Sequence, residues 1–308
     1  MRPDVSHVGQ LDLNLATRMS VGDLLTRSAR LFAHRTAVAD SQEAVTYAQL
    51  NDAAEAFGRG LLESGVRRQE PVAFLLSNSW RFLASFFGCA KAGIVALPMN
   101  LMLSAEDVAW ILKDSGTSTV VADSAFVPLL EAALPSVPSV KKVVLIAGEV
   151  PSTICGREVL RWDDVATDSS PLEVLVDDRD TMHCLYTSGT TARPKGVLTS
   201  HVSVYVALMS NALQLEHRRG DEFSVFPVVL PLFHTTALDT LTLPILLTGG
   251  TVLLPSGFVA EQFLDLVESH GATHVMLLPN MFSAVLDSPS LATRSLSSVR
   301  MCIYAMAP

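Results

Sequence analysis

Residues 186 to 197 read Tyr-Thr-Ser-Gly-Thr-Thr-Ala-Arg-Pro-Lys-Gly-Val. Four hydroxyl side chains surround one glycine, and Pro-Lys-Gly follows. Small residues let backbone N–H groups converge on an anion, hydroxyls add donors, and a lysine supplies a mobile positive charge. That set suits a polyphosphate. The spacing is not that of a Walker A loop, which needs Lys-Ser or Lys-Thr after its second glycine, whereas Lys195 precedes Gly196. Thr187, Ser188, Gly189, Thr190, Thr191 and Lys195 are therefore candidate phosphate contacts. Composition alone equally fits a solvated Ser/Thr-rich connection.

Two further residues could do chemistry. His234 lies between Phe233 and Thr235, where the ordinary reading is a satisfied structural histidine. Asp239 is the one charge in Thr235-Thr-Ala-Leu-Asp-Thr-Leu-Thr-Leu-Pro. It reads as the far end of a capping box begun at Thr236, or as an acid that pairs with a substrate amine. Other patterns are rejected. Gly58-Arg-Gly60 lacks a third glycine and lies inside an amphipathic helix, so it is no dinucleotide fingerprint. There is no G-x-S-x-G and no H-E-x-x-H. His270 and His274 are separated by Gly271 at a helix-to-strand junction, which is poor for metal ligation.

The elements that must position these residues alternate. The first 20 residues read as irregular, Met19–Ala33 as a helix, and 36–46 as a hairpin. Thr46 and Gln49 form a capping box, and Leu50, Ala54, Phe57 and Leu61 make one apolar stripe behind it. Pro71–Leu76, Ile94–Pro98, Ser118–Ala122 and Lys142–Ile146 are short apolar runs without period-two polarity, the mark of strands buried on both faces. Asn78–Lys91, Ser104–Asp114 and Ala125–Ala133 fit helices between them, and such repetition implies parallel βαβ units. Residues 148–180 read as a connecting excursion. A second alternation follows, with strands at Glu222–Val229, Thr251–Leu254, Thr273–Leu278 and Val299–Tyr304. Its helices fall at Ala237–Leu247, Glu261–His270 and Asn280–Asp287. The expected class is α/β, two stacked βαβ-type sheets, with sublayers at 20–205 and 206–308.

Composition narrows the partners. The 308 residues are 49% apolar, with 22 Lys plus Arg against 31 Asp plus Glu, a net charge of −9. A substantial core can form, and an acidic chain with no basic run is a poor ligand for nucleic acid. Four separated cysteines argue against a zinc site or a disulfide framework and suit a reducing compartment. The most apolar stretch, Phe82–Met99, is interrupted by Lys91, Gly93 and Pro98, so no membrane span is expected. The first residues lack the apolar core of a signal peptide. The expected location is cytoplasmic.

Tyr186–Gly196 resembles the signature loop of the AMP-forming adenylating superfamily, which includes acyl-CoA synthetases, adenylation domains and luciferases. The pattern Y-T-S-G-T-T-G-x-P-K-G is met at ten of eleven positions, the exception being Ala192. Val45-Thr-Tyr-Ala-Gln-Leu and Ala90-Lys-Ala-Gly-Ile-Val-Ala-Leu-Pro-Met-Asn are similar to earlier blocks of the family. Leu230-Pro-Leu-Phe-His234 is similar to the segment beside its acyl pocket. Tyr304-Ala-Met-Ala-Pro308 stands where the family writes its adenine strip, Y-G-A-A-P.

The resemblance implies that residues 1–308 are the front of an adenylate-forming N-terminal domain, before its barrel subdomain and C-terminal domain. It implies ATP-dependent conversion of a carboxylic acid to an acyl-adenylate with Mg²⁺, then transfer to coenzyme A or a phosphopantetheinyl carrier protein, as in fatty acid metabolism. It places His234, Thr236, Asp239 and Asn280 in the acyl pocket, and Tyr304, Ala305, Met306 and Ala307 against adenine. Thr236 stands near the position where amino-acid-activating relatives carry an α-amino-binding aspartate. That argues for a plain acid or, as an alternative, a β-amino acid. The remaining catalytic groups of the family would lie beyond residue 308, so residues 1–308 alone are expected to be inactive. The other class of reading is a truncated nucleotide- or partner-binding relative without turnover.

Overall fold

The computed structural model describes residues 8–148, 150–187, 193–220 and 222–304. Ser188, Gly189, Thr190 and Thr191 of the candidate phosphate loop lie outside the described residues, as do Ala305, Met306 and Ala307 of the candidate adenine strip. The chain divides into two compact units. The first holds the residues up to Arg27, Asn51–Leu76 and Arg81–Tyr205, and the second holds Ser28–Leu50, Ser77–Trp80 and the residues from Val206 onward. The sublayers expected from the sequence meet once, at 205/206. Residues 28–50 also join the second unit, because the hairpin they carry pairs with a strand from the 250s.

That hairpin is β1 (Thr36–Asp40) and β2 (Ala44–Thr46), antiparallel. The capping box behind it is present: Thr46 Oγ1 accepts from the Gln49 N–H at 3.2 Å, and Gln49 Oε1 accepts from the Thr46 N–H at 2.8 Å. It starts the helix Tyr47–Glu63, whose stripe Leu50, Ala54, Phe57 and Leu61 is wholly buried.

The sheet of the first unit has eight strands. They are β3 (Pro71–Leu75), β4 (Val95–Pro98), β5 (Thr119–Asp123), β6 (Lys142–Ile146), β7 (Thr153–Ile154), β8 (Arg157–Arg161), β9 (Thr181–Thr187) and β10 (Lys195–Ser200). Their order is β10-β9-β4-β3-β5-β6-β8-β7. Strands β9, β4, β3, β5, β6 and β8 run parallel, with β10 and β7 antiparallel on their neighbours. The parallel strands β3 to β6 are apolar and mostly buried, as the absence of period-two polarity required. Ser104 caps the helix Ala105–Asp114 by accepting from the Asp107 N–H at 3.2 Å.

The excursion at 148–180 needs correction. It supplies β7, β8 and the short helix Trp162–Val165. The charges of Arg157, Glu158 and Arg161 hid a strand that lies next to the sheet edge and is only partly buried. Trp162 stacks on Phe57, with centroids 5.4 Å apart and planes 12° apart, and its indole N–H donates to Ser85 Oγ at 2.9 Å. Two helices lie outside the expected ones, Gln10–Thr17, in the stretch expected to be irregular, and His201–Gln214.

The Gly58/Gly60 pair has a packing role. A Cβ on Gly58 would lie 2.5 Å from the carbonyl oxygen of Gly88, and one on Gly60 would lie 2.0 Å from that of Val165. The helix Tyr47–Glu63 thus meets the helix Trp80–Ala92 at Gly58 and the short helix Trp162–Val165 at Gly60, in both places against backbone.

The second unit carries a sheet in the order β11-β12-β1-β2, with β11 (Val225–Pro227) and β12 (Thr251–Leu254), and a pair β13 (His274–Leu277) and β14 (Met301–Tyr304). Strands β11, β12 and β1 are parallel, and so are β13 and β14. β13 begins beside β11, where the Thr273 N–H donates to Val225 O at 2.9 Å and the Val225 N–H to Thr273 Oγ1 at 3.0 Å. The helices Ala260–Ser269 and Pro279–Leu286 supply Phe263, Leu264, Val267 and Val285 to a core with Val275 and Leu277. Each unit is α/β, as expected.

Candidate active site

In the first unit the candidate phosphate loop connects β9 to β10. Lys195 stands opposite Thr187 and Gly196 opposite Tyr186. The two ends of the hydroxyl-rich segment are therefore held at one inter-strand spacing, with both Thr187 and Lys195 exposed. β9 runs parallel to β4, so Thr187 leaves from the carboxyl edge of the parallel strands, where open α/β sheets bind ligands.

Gly196 is glycine for a reason of space. A Cβ there would lie 2.9 Å from Cys184 Sγ and 3.1 Å from the Tyr186 ring. Tyr186 instead lies across the hairpin and donates its hydroxyl to Asp114 Oδ2 at 2.7 Å. Burial, and then the carboxylate of Asp114, raise the phenol's pKa, so it stays a donor at neutral pH. Burial pushes the Cys184 thiol up to about 11, with Asp114 adding to it, so it is no nucleophile.

In the second unit, Leu230–His234 follows β11. Asn78 fixes this segment at both polarities: its Nδ2 donates to Leu230 O at 2.9 Å, and its Oδ1 accepts from the Leu232 N–H at 2.8 Å. Nothing in the sequence marked Asn78, since its partners are more than 150 positions away. His234 lies exposed against Phe233, ring centroids 4.7 Å apart, and its N–H closes a turn on Pro231 O at 3.1 Å. Desolvation lowers its pKa. The neutral imidazole suits an aromatic or hydrogen-bonding wall rather than a cation.

The capping-box reading of Asp239 is overturned. The Leu238 N–H already bonds His234 O at 3.0 Å and Thr235 is helical, so Thr236 sits inside the first turn instead of preceding it. Thr236–Thr242 is a π-helix, continued by the α-helix Leu243–Thr248. Asp239 is buried within it, and Thr236 is half-buried. π-Helical turns are rare and concentrate at functional sites.

Asn280 is exposed in the first turn of the helix that leaves β13. Tyr304 ends β14 beside Leu277, with its ring 5.9 Å from that of Phe282. Asn280 and Tyr304 thus emerge at the carboxyl ends of two paired parallel strands. Thr187 and Lys195 belong to the first unit; His234, Thr236, Asp239, Asn280 and Tyr304 belong to the second. Among the described residues no three His, Cys, Asp or Glu converge as a metal site, and no helix is long and apolar enough to cross a membrane.

This fold, with a glycine- and hydroxyl-rich hairpin at the carboxyl edge of a mostly parallel sheet, is that of the N-terminal domain of adenylate-forming enzymes. Residues 25–308 match the family model described as AMP-binding enzyme, and the chain belongs to that family. It is 32% identical over 288 residues to a feruloyl-CoA synthase of Amycolatopsis sp, covering 94% of this chain and 54% of that protein. It is 31% identical to the fatty acid–[acyl-carrier-protein] ligase ScoC of Streptomyces coeruleorubidus, covering 86% of this chain and 49% of that one. The chain thus spans about half the length of these relatives. Among solved structures, the inhibitor-bound N-terminal domain of FACL13 from Mycobacterium tuberculosis superposes with a TM-score of 0.84 at 26% identity. That match covers 94% of this chain and 70% of the other.

Proposed function

We propose that the protein activates a carboxylic acid with ATP. A carboxylate oxygen attacks the α-phosphorus, pyrophosphate leaves, and a thiol of coenzyme A or a carrier protein then takes the acyl group with release of AMP. The observation that carries this reading is the Tyr186–Gly196 segment, met at ten of eleven positions and set on the exit of β9. Phosphoryl chemistry of this kind depends on positioning and charge neutralisation. Thr187 and Lys195, with Ser188 to Thr191 between them, would hold the β- and γ-phosphates of ATP delivered with Mg²⁺. His234, Thr236 and Asn280 would border the acid, and Tyr304 to Ala307 the adenine. The names of the relatives, a feruloyl-CoA synthase and a fatty acid–carrier-protein ligase, support an acid–thiol ligase and leave both acceptors in view.

A buried acid on a π-helix favours one second reading, a substrate that carries an amino group against Asp239. The test is acid-dependent exchange of labelled pyrophosphate into ATP by the complete natural protein, over a panel of aliphatic, aromatic and amino-bearing acids. Exchange with one group of acids is expected; no exchange with any acid sinks the proposal. Residues 1–308 alone are expected to give none.

A further inference from the structure

Both flanks of the candidate phosphate loop rest on a single helix, Ala105–Asp114. On the near side Tyr186 meets Trp110 edge-on, with ring centroids 6.0 Å apart and planes at 81°, and its hydroxyl reaches Asp114 four residues further along the same helix. On the far side the guanidinium of Arg193 lies 5.7 Å from the Trp110 ring centre, and one of its nitrogens is 3.5 Å from Glu106 Oε1. Glu106, Trp110 and Asp114 are spaced by four, so they form one row along the helix. Trp110 is the member of that row that touches both flanks. The open groove there is lined by Trp110, Arg193, Lys113 and Glu106.

We infer that Trp110 is a positioning residue for ATP, acting through Tyr186 and Arg193 on the ends of the hairpin that carries Thr187 and Lys195. The inference rests on the proposed function. Its physical content is entropic. Among the described residues, the strand pairing at the hairpin mouth joins Thr187 to Lys195, so the angle of the mouth against the sheet depends on what holds the flanks. An indole gripped from both sides sets that angle before ATP arrives, and binding then costs less ordering. Arginine rather than lysine at position 193 fits the same role, because the planar guanidinium lies over an aromatic face in a way an ammonium does not.

The experiment uses the complete natural protein. Trp110→Ala should raise the KM for ATP about three- to ten-fold, with kcat changed less than two-fold and the KM for the acid unchanged. Arg193→Ala should move the same parameter in the same direction, and Trp110→Phe should restore most of the loss. Titration with MgATP should change the tryptophan fluorescence of the wild type, and Trp110→Phe should lose the part of this change that Trp110 contributes, since Trp80 and Trp162 are both buried. An unchanged KM for ATP in Trp110→Ala overturns the inference. So does a loss shared equally by both substrates, which is what a merely structural residue would give. If the wild type itself shows no acid-dependent pyrophosphate exchange, the functional reading has failed instead.

Discussion

Lys195 and Asn78 are side chains with separable duties. Lys195 is an exposed lysine that would be unremarked anywhere else; at the mouth of this hairpin it is a cation proposed to meet the phosphates. Lys195→Ala removes one charge-assisted contact, worth about 1.5–3 kcal/mol, so pyrophosphate exchange at sub-saturating ATP should fall roughly ten- to a hundred-fold. Exchange at the wild-type rate would remove Lys195 from the site. Asn78 touches no proposed substrate, yet it satisfies one carbonyl and one N–H of the segment leading to His234. Asn78→Ala orphans both groups and should cost about 1–3 kcal/mol of stability. The activity loss should appear in the KM for the acid, with the KM for ATP untouched. Equal changes in both would show that the segment does not border the acid.

At the level of elements, the π-helix and a buried ion pair make opposite kinds of claim. The helical geometry of Thr235 rules out a capping box between Thr236 and Asp239. Asp239→Asn should depress exchange selectively with amino-bearing acids. Uniform behaviour across the acid panel would return the site to plain carboxylates. The ion pair lies inside the first unit, where Lys91 Nζ donates to Glu55 Oε1 at 2.6 Å and also to Thr26, while Glu55 Oε2 accepts from the Leu172 N–H at 2.8 Å. Burial pulls the lysine's pKa down and the adjacent carboxylate opposes that pull. Lys91→Met strands a buried carboxylate and should cost about 3–5 kcal/mol in urea unfolding. Adding Glu55→Gln keeps an acceptor for Leu172 and should recover much of the loss; no recovery would mean that packing, not charge, dominates.

Elements with strong local signals were legible. β3 to β6, both N-terminal caps at Thr46 and Ser104, and the stripe on Tyr47–Glu63 follow from periodicity and short-range hydrogen bonding. β8 was hidden because its charged residues obscure a strand that the neighbouring β6 pairs into the sheet. The π-helix was hidden because a widened turn has no residue signature of its own. For the candidate site, the proposed loop stands out as an ordered string, while the contacts of Asn78, Trp110 and Asp114 span distances that one sequence does not encode.

The molecule as a whole has histidines buried in their neutral form. His201, whose Nδ1 accepts from the Val21 N–H at 3.2 Å, is held down to about 4 by burial, with Asp180 and Asp23 opposing. His217, bonded to Ser224 at 2.9 Å and 4.6 Å from the His274 ring, is held down to about 3 by burial, then by His274 and Arg300. Both lie below the unfolded value of about 6.5, so the unfolded chain binds more protons between these limits. The stability these two histidines govern is full above about pH 6.5, declines as the pH falls below it, and stops declining near 4 for His201 and near 3 for His217, where the folded imidazoles protonate as well. The urea midpoint should drop steadily from pH 7 to pH 5, and His217→Gln should flatten that drop. A midpoint constant over this range would contradict the burial of neutral imidazoles.

The contact at Gly58 and Gly60 bears on how this chain can be recombined. At those turns the helix Tyr47–Glu63 touches Gly88 and Val165 with main chain on main chain, so no rotamer change can absorb a new side chain. Even Gly58→Ala sets a methyl group 2.5 Å from a carbonyl oxygen. The three segments around Gly58, Gly88 and Val165 are therefore inherited together. A chimera that borrows residues 51–63 from a relative should fold only if 81–92 and 162–166 come from the same parent. Crossover points that split this triplet should be depleted among the soluble members of a shuffled library.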